Sequence, residues 1–223
     1  MRYFSALLLV AQLSFGQKNL QYQNATYEEN IRTVMLAPPG SLARNVHLPP
    51  VVSIFQQNLV LSFDDIQESR NNYYVRLIHC SYNWQKSNLN DLDFLAVFNE
   101  FNINEYDYSS NTHLPYVHYR FLVPPVKLPG NYLLVVYRDG NRSDIVLSMS
   151  FMVFQQRVNV TMDNQIAGSL SLTSTNQQLN FVVNYKDLEV FNAMDNFQVV
   201  IRQNQRWDNA RFDVKPSFIR DDI

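Results

Sequence analysis

The sequence has 223 residues and a formal net charge of −2, which is too small to indicate nucleic acid or an anionic membrane surface as the partner. Hydrophobic residues make up 46% and aromatic residues 13%, so the chain can build a core and is not expected to be disordered. The length allows one large domain or two small ones.

The first sixteen residues have the layout of a secretory signal peptide. Arg2 is the only charge, an apolar run of about thirteen residues follows, and Ser14 and Gly16 stand at the −3 and −1 positions of a small-residue cleavage site. Residues 1–16 are therefore predicted to be removed after export. A transmembrane anchor is the alternative, but this run is too short for a hydrocarbon core about 30 Å thick, and no later segment could cross a membrane.

Short runs rich in Val, Ile, Tyr and Phe, separated by turn residues, follow the signal peptide. This composition and this punctuation predict β-strands. The predicted strands of the first part are LVLSF (59–63), NYYVRLIHC (72–80), YVHYRFL (116–122), NYLLVVY (131–137) and DIVLSMSFMVF (144–154). Their spacing predicts an all-β fold, with a first immunoglobulin-like β-sandwich over residues 25–154.

Two local signals refine this prediction. The Asp139-Gly140 pair lies between two predicted strands and indicates a hairpin. No helical i, i+3, i+4 pattern of useful length is present, although residues 89–98 could form a turn or two of helix.

The strand pattern restarts after Gln155-Gln156. The predicted strands there are RVNVTM (157–162), SLSLTS (169–174), LNFVVNY (179–185) and FQVVIRQN (197–204). We expect residues 157–223 to begin a second β-sandwich in tandem with the first. About four strands are few for a sandwich that usually has about seven, so we expect this domain to be incomplete and prone to aggregation through an exposed edge.

The stretch SSNTHLPYVHYRF (109–121) concentrates side chains that could support catalysis or metal binding. Pro115 excludes a helix through it, so His113 and His118 cannot be ligands on one helical face. From residue 116 the period is two, which separates an inner from an outer face. The predicted inner residues are Val117, Tyr119 and Phe121, and the predicted outer residues are Tyr116, His118 and Arg120.

His79 and Cys80 are neighbours in a predicted strand, so their side chains point to opposite faces and cannot easily share one ion. Zinc needs three or four ligands, and we therefore predict no metal and no cofactor. Cys80 is the only cysteine, so no intramolecular disulfide is possible. We interpret it as a small buried hydrophobic residue, because no positioned base marks it as a nucleophile.

Motifs of nucleophilic catalysis and nucleotide binding are missing from the sequence: it contains no G-x-S-x-G, no P-loop and no G-x-G-x-x-G. The chain holds three carboxylate pairs: Asp64-Asp65, Asp91 with Asp93, and Asp221-Asp222. Such pairs can hydrolyse glycosides, but in turns they are usually solvated turn formers. No catalytic residue is predicted, and an enzyme that uses Asp91 and Asp93 remains an open alternative.

Residues 82–108 are the least strand-like part of the first domain and are rich in aromatic residues. These are Tyr82, Trp84, Phe94, Phe98, Phe101, Tyr106 and Tyr108. A long aromatic loop on a sandwich can be a binding surface, or it can be pinned to the core by its own rings. The sequence leaves both interpretations open.

Four segments carry a resemblance to a known family. They are NNYYVRLIHCSYNWQKSNL, INEYDYSSNTHLPYVHYRF, LPGNYLLVVYRDGN and RWDNARFDVKPSFIRD. In order and spacing, from about Tyr27 to Asp222, they resemble the plug protein family of the type IX secretion system. The specific parts are the strand that ends in His79-Cys80, the His118-Tyr119 pair, and the run that begins at Gly130.

The resemblance implies an exported periplasmic protein of tandem immunoglobulin-like sandwiches, located at the inner side of the outer membrane, with no enzymatic activity. It implies binding to the periplasmic mouth of the outer-membrane translocon barrel, which the plug closes when no substrate is in transit. It also implies chains longer than this one. The partner-binding residues stay unknown, because no family motif is assigned to that contact.

The leading hypothesis is therefore a non-enzymatic plug that needs no cofactor, nucleic acid or small-molecule substrate. The alternative is a secreted β-sandwich module that binds carbohydrate or peptide through residues 82–108, with Trp84 as the expected binding ring.

Overall fold

Strands dominate the computed structural model, which describes residues 18–41, 49–163, 179–186 and 188–219. The strands are β1 (Ala25–Thr26), β2 (Ile31–Ala37), β3 (Val51–Ser53), β4 (Val60–Asp65), β5 (Tyr73–Cys80), β6 (Phe101–Asn102), β7 (Glu105–Tyr108), β8 (Val117–Leu122), β9 (Gly130–Arg138), β10 (Ile145–Phe154), β11 (Asn159–Asp163), β12 (Asn180–Asn184), β13 (Val199–Ile201) and β14 (Arg211–Val214). Two four-residue helices, α1 (Asp91–Phe94) and α2 (Ala193–Asn196), complete these ranges.

The first ten strands form two sheets that face each other. One sheet has the order β1-β10-β9-β5-β6, and β3 joins it by parallel pairing with β10. The other has the order β2-β4-β8-β7 and is antiparallel throughout. A single apolar core, with Leu61, Val75, Leu134 and Phe151 among its buried members, draws on both sheets. The all-β sandwich class is thereby confirmed.

The core is rich in aromatic rings from facing strands. Phe63 on β4 and Tyr119 on β8 stack with centroids 5.1 Å apart, and Tyr73 on β5 meets both rings edge-on at 5.3 and 4.9 Å. Such offset and edge-to-face pairs add stability beyond the area they bury. This cluster joins the two sheets at one end of the sandwich.

The edges of the four-stranded sheet carry features that oppose further pairing. Thr33 has a positive φ of 51°, and the register of β2 shifts between Arg32 and Met35, so this edge is bulged. The opposite edge, β7, is short and presents the exposed carboxylates of Glu105 and Asp107. Bulges and charges are the usual means by which sheet edges avoid adding foreign strands.

The β9–β10 hairpin turns at the predicted Asp139-Gly140 pair. Both residues have positive φ, 50° and 71°, and the Asn141 N–H donates to the Arg138 carbonyl at 2.8 Å. This geometry fits the right-handed twist of the strands, and the hairpin prediction is confirmed. The helix predicted within residues 89–98 is also confirmed, as the single turn α1.

The remaining strands form two small antiparallel pairs, β11 with β12 and β13 with β14. The division into domains at residues 25–154 and 157–223 remains a prediction. The signal peptide at residues 1–16 and the strand predicted at 169–174 lie outside the described residues.

Nine runs were predicted from the sequence to form strands. Each of these runs that lies within the described residues contains a strand. The named runs missed β2, because the bulge at Thr33 breaks its alternation. They also missed β7, whose EYDY sequence reads as loop because it is polar at an edge.

The first residue of β9 provides a test of packing. A Cβ added at Gly130 would stand 2.4 Å from His79 Nε2. The imidazole cannot easily withdraw, because its Nδ1 is hydrogen-bonded to Ser87 Oγ at 2.8 Å and its ring packs against Phe94 and Tyr132. We expect Gly130→Ala to lower the free energy of unfolding by about 2–3 kcal/mol, measured by urea denaturation.

Gly140→Ala is the matched control, because Gly140 has a φ of +71° and no atom within 4 Å of an added Cβ. At Gly140 the substitution therefore costs only the free energy of placing an alanine in a left-handed backbone conformation, about 1 kcal/mol. Equal losses in the two variants would show that the contact with His79 is unimportant.

Candidate functional site

His118 and Arg120 lie on the outer face of the four-stranded sheet, and neighbouring strands give each an acidic partner. His118 Nδ1 is 2.5 Å from Asp64 Oδ1. Arg120 donates to Glu105 Oε1 at 2.7 Å and to Asp107 Oδ2 at 2.6 Å, and the bond to Glu105 is the main cause of a raised pKa for the guanidinium. These are cross-strand surface pairs, which stabilise a sheet modestly.

The predicted faces of this strand are correct. Val117 and Tyr119 are fully buried and Phe121 is partly buried, whereas His118 and Arg120 point outward to their carboxylates. The residues that looked most like a catalytic cluster are thus divided between a core face and a salt-bridged surface.

His79 and Cys80 separate in the predicted way. His79 packs its ring in the main core, where burial lowers its pKa. Cys80 belongs to a second apolar cluster on the outer face of the six-stranded sheet, where it is 2% exposed and burial raises the pKa of its thiol to about 11. The interpretation of Cys80 as a buried hydrophobic residue is confirmed.

Asp64 and Asp65 do not lie in a turn, so the interpretation of this pair as solvated turn formers is wrong. They are the last residues of β4, which stays paired with β8 as far as Asp65 and Val117. Alternation along the strand then sends Asp64 outward and Asp65 inward, where Asp65 is fully buried.

Three neutral donors surround the buried Asp65 carboxylate. Tyr73 donates its hydroxyl to Oδ2 at 2.7 Å, and Asn71 donates from Nδ2 to the same oxygen at 2.8 Å. Asn30 donates to Oδ1. Burial, followed by the bond to Asp65, raises the pKa of Tyr73 well above its usual range. A buried carboxylate persists only with such partners, and through them this group links the end of β4 to β5 and to the loops that precede β2 and β5.

Asp91 and Asp93 lie in the single turn of α1. The Asp93 carboxylate accepts from the Asn90 backbone N–H at 2.7 Å and completes a capping box with Asn90. Asp93 therefore has a structural role at the start of the helix. Asp221-Asp222 lie outside the described residues.

Residues 82–108 cover the edge of β5. Asn99, which is 4% exposed, accepts from the Leu77 N–H at 2.8 Å and donates to the Leu77 carbonyl at 2.7 Å, so its amide takes the place of a neighbouring strand. β6 pairs with β5 at Tyr74 and Val75. The structure thus favours the interpretation of this region as pinned to the sandwich.

Trp84, the ring expected to bind a carbohydrate or peptide, is 8% exposed and packs in the outer apolar cluster of the six-stranded sheet. Trp207 contacts it in an edge-to-face arrangement, with a distance of 5.3 Å between the ring centroids. Binding aromatics in carbohydrate modules need an accessible face, so no observation favours that alternative.

Three loops meet at one end of the sandwich and expose apolar side chains. Phe55 is 83% exposed and Leu92 is 68% exposed. Gln57 holds the loop of Phe55 near the β8–β9 connection through two hydrogen bonds to the Val126 backbone, and Lys127 donates to the carbonyls of Leu92 and Phe94 in α1. Because hydrogen bonds fix the loops, this apolar end is a preformed surface.

A groove of about 760 Å³ lies between the β11–β12 and β13–β14 pairs. Its lining is mostly apolar and includes Met162, Phe181, Val199 and Phe218. Within the described residues, no group of three or more His, Cys, Asp and Glu side chains could hold a metal ion, and no helix could span a membrane.

Comparison with known proteins gives a family match. A family model described as the type 9 secretion system plug protein 1st domain matches residues 31–155, more than half of the chain. No curated protein matches.

A solved structure gives a match in fold. The chain is similar to a hypothetical protein from Parabacteroides merdae ATCC 43184, with 22% identity and a TM-score of 0.77. The match covers 91% of this chain and 51% of that one, so this chain spans about half of that protein's length. At this identity the likeness shows the fold alone.

The buried carboxylate can be tested by truncation. We expect Asp65→Ala to lower the free energy of unfolding by about 3 kcal/mol, because Tyr73, Asn71 and Asn30 lose their common acceptor. Urea denaturation would measure the loss. Asp64→Ala removes the neighbouring, partly exposed carboxylate and should cost less than about 1 kcal/mol. A larger loss at Asp64 than at Asp65 would contradict the assigned roles.

The thiol of Cys80 should be unreactive in the folded protein. An exposed cysteine has a pKa near 9.0, so at pH 9.0 half of such thiols are ionised. Burial raises the pKa of Cys80 to about 11, so this thiol stays mostly protonated at the same pH. We expect thiol-labelling dyes to modify the native protein far more slowly than the urea-unfolded chain. Equal labelling rates would show that Cys80 is accessible.

Proposed function

Because the chain belongs to the type IX secretion system plug protein family, we propose that it is a non-enzymatic periplasmic plug. It binds and closes the periplasmic opening of the outer-membrane translocon barrel of that system. The family match over residues 31–155 carries this proposal.

The chemistry of the described residues is in keeping with a protein that acts by shape. His118, Arg120 and Asp64 are paired on a sheet face, and Asp65 and Asp93 hold the backbone in place. These side chains are satisfied by one another, so they stabilise the body of the plug. The protein needs no cofactor, nucleic acid or small-molecule substrate for this role.

The protein acts at the inner side of the outer membrane, after export and removal of residues 1–16. Residues 157–223 contribute strands of a second sandwich, with a mostly apolar groove between the β11–β12 and β13–β14 pairs. The bulge and the charges at the edges of its four-stranded sheet keep the first sandwich from pairing with foreign strands.

The preformed apolar end is the surface best suited to seat on the barrel. Phe55 and Leu92 are largely exposed, yet their loops are fixed by hydrogen bonds, so contact with a partner costs little ordering of the backbone. Exposed apolar groups on a rigid frame are typical of protein–protein contact sites.

Copurification tests this proposal. We expect the unaltered protein, carrying an affinity tag, to copurify with the translocon barrel, and the Phe55→Ser/Leu92→Ser variant to lose at least about tenfold of this association, as expected when central apolar anchors are removed. Removing the gene should make resting pores permeable to a small dye.

Leu114→Ser is the matched control. Leu114 is 67% exposed, but it precedes β8 at the opposite end of the sandwich, where Val117 pairs with Asp65. The Leu114→Ser variant should copurify with the translocon barrel as well as the unaltered protein does. If the unaltered protein never copurifies and its loss leaves the pores closed, the proposed function is wrong; if only the control loses binding, the contact lies at the other end.

A further inference from the structure

Two segments that are far apart in the sequence pack against the outer face of the six-stranded sheet. Both contact the apolar cluster on that face, which contains Trp84. Leu20 and Tyr22 come from the segment before β1, and Trp207 comes from the segment between β13 and β14. The two segments are held on this face by different kinds of contact.

Hydrogen bonds to β10 hold the segment before β1. The Ser148 hydroxyl donates to the Gln23 carbonyl at 2.8 Å. The Asn24 side chain accepts from the Ser150 N–H at 2.7 Å and from the Ser150 hydroxyl at 2.6 Å. Because these bonds end on a central strand of the sheet, we regard this segment as part of the first sandwich.

Aromatic rings hold the other segment. Trp84 and Trp207 meet edge to face, with 5.3 Å between ring centroids and an angle of 85°. Tyr82 and Phe212 lie 6.1 Å apart between ring centroids. We call the contact between these two pairs of rings the tryptophan joint.

No directional bond crosses the tryptophan joint. In the part of the chain that the structure describes, no hydrogen bond or ion pair joins residues 18–154 to residues 199–214. An aromatic pair changes an equilibrium constant only about two- to tenfold beyond the effect of the area it buries. The free energy that keeps the joint closed is therefore that of a few rings, whereas the core of the first sandwich draws on both sheets.

Trp207 has partners within its own segment that do not depend on the joint. The Arg202 guanidinium lies over the Trp207 ring, 4.3 Å from its centroid, and Phe212 stacks on the same ring at 6.2 Å. The Ala210 N–H donates to the Trp207 carbonyl at 3.1 Å. If the segment leaves the sheet, these contacts can stay, so only part of the indole becomes newly exposed to water.

We propose that the tryptophan joint opens in the native protein while the first sandwich stays folded. Native proteins open locally at a lower free energy than that of global unfolding, and parts of a chain with a small common interface move relative to each other. Opening carries Trp207 away from the sheet and exposes Trp84, whereas Leu20 and Tyr22 keep their places. The joint is thus a conformational device that lets the two parts of the chain separate.

Hydrogen exchange of the indole N–H groups tests this proposal, because Trp84 and Trp207 are the two tryptophans of the sequence. A ¹⁵N-labelled sample of the unaltered chain gives one indole signal for each. We expect equal protection factors for the two indoles, at least about a hundredfold below those of the β9 backbone amides. Indoles as well protected as β9, or indoles that differ by more than about tenfold, would overturn the proposal.

Trp207→Ser removes one side of the joint. We expect the protection factor of the Trp84 indole to fall by at least about tenfold, because its ring loses an aromatic partner and the apolar area buried with it. The β9 amides should keep their protection. If protection is lost across β9 as well, or if this variant does not fold, the ring belongs to the core of the sandwich and the proposal is wrong.

Phe191→Ser is the matched control. It also replaces an aromatic residue with serine in the chain that follows β10, but the Phe191 side chain is fully exposed and lies outside the joint. Both indoles should keep the protection that they have in the unaltered chain. A loss at Trp84 as large as in Trp207→Ser would mean that any change in this part of the chain loosens the contact, and would count against a specific joint.

Discussion

The hydrogen bond between Tyr73 and Asp65 is the constraint on which the rest of the sandwich depends. Tyr73 lies in the six-stranded sheet and Asp65 in the four-stranded sheet, so this 2.7 Å bond crosses the core. A carboxylate away from water is costly unless donors surround it, and here Asn71 and Asn30 supply the others. The end of β4 can therefore adopt only the register that brings Asp65 to these donors.

That register decides the character of the outer surface. A shift of one residue in a strand exchanges its two faces. With Asp65 inward, Asp64 must point outward, and it there meets His118 across the sheet. The salt-bridged face that first looked like a reaction site is thus a consequence of a buried carboxylate on the opposite side of the same strand.

Much of the fold could be predicted from the sequence, because β-branched and aromatic runs between turn residues are a local signal. The faces of β8, the Asp139-Gly140 hairpin and the burial of Cys80 all follow from local rules. The roles of Asp65 and Asn99 could not be predicted in this way. Their partners, Tyr73 and Leu77, become neighbours only after the chain has folded, and an acidic pair or an isolated Asn reads locally as a turn.

The interface between the two parts of the chain was also beyond sequence reasoning. Trp84 was placed in an aromatic loop that could bind a ligand, but its partner Trp207 lies in a short turn far along the chain. Neither periodicity nor composition connects the two. The proposed function, in turn, rests on family membership, because the described residues give no pattern from which it could be derived.

Trp84 and Trp207 are the two tryptophans of the sequence, and the contact between them has a consequence for spectroscopy. Intrinsic fluorescence excited at the red edge of the absorption band comes from indoles alone, so in this protein it is blind to the aromatic core of the first sandwich, which contains tyrosine and phenylalanine. The thirteen tyrosines absorb at shorter wavelengths, and those near the two indoles pass excitation to them. A change in emission wavelength therefore reports on the contact between Trp84 and Trp207 and on the sheet face beneath it, whereas the strands themselves are followed by circular dichroism.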